Sequence, residues 1–97
     1  MFVIRFLDYA KKKAEKLIKN NAEIQERLNV CLINLKNNPF DLSLKTHKVR
    51  SKLFGIKYSS SVTGDIRIIW DFDEENEEIK VLEVYDIGGH SGNKSVY

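Results

Sequence analysis

Thr63-Gly64-Asp65-Ile66-Arg67-Ile68-Ile69-Trp70 runs from a tight-turn signal into a strand that is β-branched or aromatic at every position but Arg67. The turn places strands on both sides of it, over roughly residues 55–62 and 65–73. Glu74-Glu75-Asn76-Glu77 turns the chain again, into a third strand over residues 78–86. Three successive strands with short turns predict an antiparallel meander. Side chains alternate across a strand, so Ile66, Ile68, Trp70 and Phe72 share one face, while Asp65, Arg67, Ile69 and Asp71 share the other.

The apolar set needs cover, and the first half of the chain supplies it. Phe2-Val3-Ile4-Arg5-Phe6 fits a first strand that pairs along the edge of the sheet. Asp8 is placed to cap a helix whose apolar stripe is Leu7, Ala10, Ala14, Leu17 and Ile18. Asn20-Asn21 interrupts it, one asparagine closing the first helix and the next capping a second. Ile24, Leu28, Cys31, Leu32 and Leu35 form the second stripe, which Asn37-Asn38-Pro39 stops. A link this short implies an antiparallel helical hairpin. After Pro39, Phe40, Leu42 and Leu44 alternate with polar residues and lead through a basic stretch, Lys45 to Lys52, to the meander. The expectation is a single α+β domain over residues 1–97: an N-terminal strand, then a helical hairpin packed on one face of a twisted antiparallel sheet, in β-α-α-β-β-β order. The opposite face stays partly open, and the tail beginning Gly88-Gly89-His90-Ser91-Gly92 either returns across the sheet or ends free.

Composition bounds the function. The hydrophobic fraction of 42% suits one folded core. No apolar run approaches the roughly 20 residues that span a bilayer. The start does not resemble a signal peptide, because Arg5, Asp8 and Lys11-Lys12-Lys13 break the apolar stretch, so a cytoplasmic protein is expected. The single cysteine, Cys31, excludes an internal disulfide and reads as a buried thiol in the helical stripe. Net charge is +2, unevenly spread: residues 1–60 hold 13 basic residues against 5 acids, and residues 61–97 hold 3 against 9. A basic face opposite an acidic turn favours a polyanion on one side.

Arg67 is the anomaly. A cation in an apolar strand needs either a carboxylate partner or a ligand. Its planar fork suits phosphate, which takes two charge-assisted hydrogen bonds at once. Cleavage of RNA requires a base for the 2′-hydroxyl, an acid for the departing 5′-oxygen and cations around the phosphate. Arg67, Lys48, Lys57, His47, His90 and Tyr97 supply every part, and histidine works in either direction near neutral pH. The two histidines are distant in sequence and lack a cysteine partner, which disfavours a zinc site; neither metal nor cofactor is expected.

In order, Leu44-x-x-His47-Lys48, Leu53-x-Gly55-x-x-Tyr58-Ser59, Val62-Thr63-Gly64-Asp65-Ile66-Arg67-Ile68-Ile69-Trp70, Ile87-Gly88-Gly89-His90 and terminal Val96-Tyr97 resemble the RelE/ParE superfamily of type II toxins. The flavour is nearest the RelE and YafQ branches. The resemblance implies a toxin that cuts translated mRNA on the ribosome, is monomeric when free and is silenced by a cognate antitoxin in a hetero-oligomer. It also implies that Arg67 stabilises the phosphate, His90 is the general acid or base, and Tyr97 stacks on a base or moves a proton. His47 and Asp65 fall at positions that are catalytic in YafQ-like toxins. Lys45, Lys48, Arg50, Lys52 and Lys57 are the candidate RNA contacts. Ser59-Ser60-Ser61 stands where RelE carries basic residues, so the general-base role falls on His47 or is lost. A ParE-like inhibitor of DNA gyrase is the alternative, and so is a catalytically silent homologue that kept its antitoxin surface.

Overall fold

The computed structural model describes residues 2–73, 81–89 and 95–97. Two helices pack on a five-stranded sheet, ordered β1 (Val3–Phe6), α1 (Asp8–Ile18), α2 (Ala22–Asn37), a 3-10 turn (Leu42–Leu44), β2 (His47–Ser51), β3 (Gly55–Ser61), β4 (Arg67–Asp73) and β5 (Val81–Gly88). Across the sheet the order is β1-β5-β4-β3-β2.

The α+β architecture and the hairpin between Asn20 and Asn21 are as the periodicity predicts. Asn20 takes a left-handed φ of 57° and closes α1, while the Asn21 side chain accepts the Ile24 N–H and caps α2. Asp8 does not cap α1. Leu7 occupies that position without a side-chain bond, and Asp8 is the first helical residue, where its charge complements the helix dipole. Ala10, Ala14, Leu28, Cys31 and Leu35 are buried against Ile66, Ile68, Trp70, Leu82, Val84 and Ile87. Trp70 is fully buried and its ring stacks on Tyr58, centroids 4.8 Å apart.

The sheet departs from expectation in two ways. It is mixed rather than antiparallel, because β1 returns through the hairpin and joins β5 in parallel. Arg5 then bridges Asp73 at 3.1 Å and Glu83 at 2.8 Å across three strands. The basic stretch after Leu44, expected as a connector, is a fifth strand antiparallel to β3. Its single apolar residue, Val49, hides it from hydrophobic periodicity; an edge strand rich in cations is how sheets avoid pairing with other chains. Residues 40–44 are not a strand: the Asp41 carboxylate accepts from Ser43 N–H and builds the 3-10 turn, leaving Leu42 94% exposed and Leu44 buried.

The face opposite the helices is less open than expected. Ile69 is fully buried on it. The chain end returns there, with Lys52 N–H donating to Val96 O at 2.8 Å and Val96 N–H to Gly89 O at 3.1 Å. Lys13 on α1 reaches the buried Asp86 on β5 at 2.7 Å. The predicted turn at residues 74–77, the start of the third strand at 78–80, and His90 lie outside the described residues.

Candidate active site

Four elements bring one group of side chains together. Lys45 follows the 3-10 turn in a left-handed conformation, φ 50° and ψ 42°, which costs a non-glycine residue roughly 1–2 kcal/mol. Two residues on, His47 opens β2 and pairs in register with Ser59 on β3. Ser59 pairs with Ile69 on β4, whose first residue is Arg67. Tyr97 arrives from the chain end.

Arg67 is the centre. Its Nε donates to Ser59 Oγ at 2.9 Å, and its Nη2 to Lys45 O at 3.1 Å and to Ser59 O at 3.2 Å. The same Nη2 lies 3.4 Å from His47 Nδ1. The guanidinium is therefore oriented by neutral oxygens and remains half-buried. Among the described residues no carboxylate forms an ion pair with it, so the arrangement can receive an anion. Ser59, fully buried, also sits 2.6 Å from the Tyr97 hydroxyl. A serine hydroxyl has one proton and two lone pairs, so it can accept the hydrogen bond from Arg67 Nε–H and still bond Tyr97.

The structure thus gathers Arg67, His47 and Tyr97. Asp65 is exposed in the turn before β4, its N–H donating to Thr63 Oγ1 at 3.2 Å. His90 lies outside the described residues, next to Gly89, which bridges Ser95 and so joins the tail. The candidate RNA cations divide. Lys48 and Arg50 pair with Tyr58 and Ile56 and lie on the helix-side face, with Lys48 Nζ 5.5 Å from the Tyr58 ring centroid. Lys57 lies on the Arg67 face but is engaged, 3.4 Å from Asp71 and 4.5 Å over the Tyr85 ring. Lys45 and Lys52 are exposed at the two ends of β2.

Sequence reasoning missed Ser59 and the Lys45 carbonyl. The serine run had a readable signal, because small hydroxyls in an apolar strand are buried only when they bond something. Ser60 shows the same rule on the other face. Thr46 Oγ1 donates to Pro39 O at 2.7 Å, leaving Ser60 to donate to Thr46 at 2.6 Å and to accept the Trp70 indole N–H at 2.8 Å. Cys31 is inert by environment: burial pushes its thiol up to about 12, only partly opposed by the charge of Arg67.

Fold and site together define a small α+β protein with a pre-oriented arginine on one sheet face, flanked by an imidazole and a phenol. This is the RelE-like fold of the YoeB, ParE and YafQ toxins. A YoeB/ParE toxin from Agrobacterium tumefaciens superposes with a TM-score of 0.74 at 18% identity, covering 93% of this chain and all of that one, at 100%. The YoeB dimer from Staphylococcus aureus gives 0.70 at 19% identity, covering 93% and 98% of the two chains. The E. coli DinJ-YafQ toxin-antitoxin complex gives 0.65 at 20% identity, covering 92% of each chain. No family model matches the sequence, and no curated protein is similar to it in sequence.

Proposed function

We propose that the protein is the toxin of a type II toxin-antitoxin pair, an endoribonuclease that cleaves translated mRNA on the ribosome. The observation that carries this reading is the Arg67 guanidinium, fixed by Ser59 and the Lys45 carbonyl beside His47. The structural neighbours include a YoeB/ParE toxin, and YafQ is seen in the DinJ-YafQ toxin-antitoxin complex.

In this mechanism His47 takes the proton of a 2′-hydroxyl, and the oxygen attacks the adjacent phosphorus to give a 2′,3′-cyclic phosphate. Arg67 binds the equatorial phosphate oxygens as charge builds on them, a contribution that typically accounts for about 10²–10³ in rate. The departing 5′-oxygen takes a proton from His90 or Tyr97. Asp65, at the rim before β4, orients a basic group or the nucleotide. Lys45, Lys48, Arg50, Lys52 and Lys57 contact RNA backbone, and their spread over both faces suits a groove in folded RNA better than a single flat strand. The partners are mRNA, the ribosome and a cognate antitoxin, with the free toxin monomeric and cytoplasmic. Among the described residues no helix is long and apolar enough to cross a membrane.

Induced expression followed by primer extension on a translated mRNA tests the proposal. Cuts inside codons that disappear with Arg67→Ala support it. Growth arrest without any cut, accompanied by loss of DNA supercoiling activity, would move the protein to a gyrase-directed mode. An intact transcript with normal growth would leave a silent homologue.

A further inference from the structure

The left-handed turn at Lys45 does more than connect the 3-10 turn to β2. We infer that Lys45 is a positioning residue, whose main-chain carbonyl holds the neutral His47 ring in its Nδ1–H form and leaves the Nε2 lone pair outward. The catalytic consequence rests on the nuclease reading above; the state of the ring does not.

Donors and acceptors decide it. A carbonyl oxygen has two lone pairs and no proton. Arg67 Nη2 donates to one, at 3.1 Å, and His47 Nδ1 lies at the other, at 2.9 Å. That second contact is attractive only if Nδ1 carries hydrogen; a bare Nδ1 would set two lone pairs against each other. A neutral imidazole has a single ring proton, so Nε2 is then bare. The opposite tautomer would give up the 2.9 Å bond for the longer approach of Arg67 Nη2 to Nδ1, at 3.4 Å. His47 is exposed, and its Nε2 hydrogen-bonds to none of the described residues. Among the described residues the groups facing the ring are the Lys45 carbonyl, the Arg67 guanidinium and, from β3, its register partner Ser59.

Backbone conformation makes this possible. At ψ 42° the Lys45 carbonyl turns toward the side chain two residues on; a strand-like ψ would swing it away by roughly 90°. Strained non-glycine residues recur at functional sites, where the surroundings hold them in place. A general base must offer its lone pair where substrate arrives, and the turn presents Nε2 rather than Nδ1 for that role.

The test reads the ring directly. Long-range proton–nitrogen NMR on the full chain, with the ring in its neutral form, distinguishes a pyrrole-type from a pyridine-type nitrogen, and His47→Gln identifies the His47 signals. The expected spectrum shows pyrrole-type Nδ1 and pyridine-type Nε2. Lys45→Gly, which keeps the left-handed turn, retains that pattern; Lys45→Val, which resists it, gives a mixture. Both variants lack the ammonium group, so their cleavage rates compare the backbone alone, and the valine variant falls at least tenfold below the glycine variant, with a displaced pH profile. A pyrrole-type Nε2 in the wild-type protein overturns the inference, as does a valine variant that keeps the wild-type ring state. If the valine variant does not fold, the wild-type spectrum decides. A chain that cuts no RNA but shows the Nδ1–H ring removes the nuclease reading and leaves the positioning of the ring standing.

Discussion

Tyr97 and Ser59 lie 38 residues apart in sequence, yet their hydroxyl oxygens are 2.6 Å apart in the folded protein. Because Ser59 Oγ also accepts from Arg67 Nε, Tyr97 and the Arg67 guanidinium share one buried atom.

Removing that atom should disturb both. Ser59→Ala leaves Arg67 Nε without its acceptor, and stranding a part-buried donor costs roughly 1–3 kcal/mol. Chemical denaturation should show a loss of that size, and cleavage should fall further than stability explains. Tyr97→Phe removes the neutral bond to Ser59, whose loss costs about 0.5–1.5 kcal/mol. Equal losses for the two variants would mean that Ser59 does not link them.

Arg67→Ala should abolish growth arrest while circular dichroism and the melting transition stay close to wild type. Its partners are neutral oxygens, two of them main-chain carbonyls, so no buried charge is stranded by the change. Collapse of the fold would instead make the arginine structural. Under the same reading His90→Gln should slow cleavage by about 10²-fold or more, the usual contribution of a general acid or base.

Binding to RNA should weaken steeply with salt. Lys48 and Arg50 are exposed on β2, and each lost phosphate contact should reduce the logarithmic salt slope by about 1. Filter binding of Lys48→Ala and Arg50→Ala at several ionic strengths measures this directly. A flat response in the wild-type protein would exclude an interface dominated by phosphates.

Cys31 should behave as a closed thiol. Its folded value near 12 lies above the ordinary 9.0, so folding favours the protonated form. The stabilisation is complete below about pH 9 and is lost as pH rises toward 12, the sign expected when the unfolded chain releases its proton first. Alkylation at pH 8 should follow unfolding, and fast labelling of the native protein would show that the core opens there.

Ser60→Ala should destabilise without touching the site. It strands the buried Trp70 indole N–H and one bond of Thr46, a cost of roughly 1–3 kcal/mol seen in denaturant midpoint. Cleavage per folded molecule should stay at the wild-type level.

Much of this protein was readable in one dimension because its cause is local. Stripes at three- and four-residue spacing name the buried faces of α1 and α2, and the Asn20-Asn21 break supplies its own cap. Alternation along residues 66–72 separates Trp70 from Arg67 without reference to any other strand. A cation in so apolar a segment stands out by itself, as a residue that needs either a carboxylate partner or a ligand. What stayed hidden depends on partners distant in sequence. Strand β2 is charged and half-exposed, so only its hydrogen bonds to β3 make it a strand. Ser59 and Ser60 look alike in the chain, and the pleat sends one to Arg67 and the other to Trp70. The parallel docking of β1 beside β5, and the return of Val96 and Tyr97 over the sheet, are set by packing between segments more than 35 residues apart. Local pattern chose the helices and the meander and singled out Arg67; the tertiary structure chose its neighbours, because a hydrogen bond depends on distance in space and not on position in the chain.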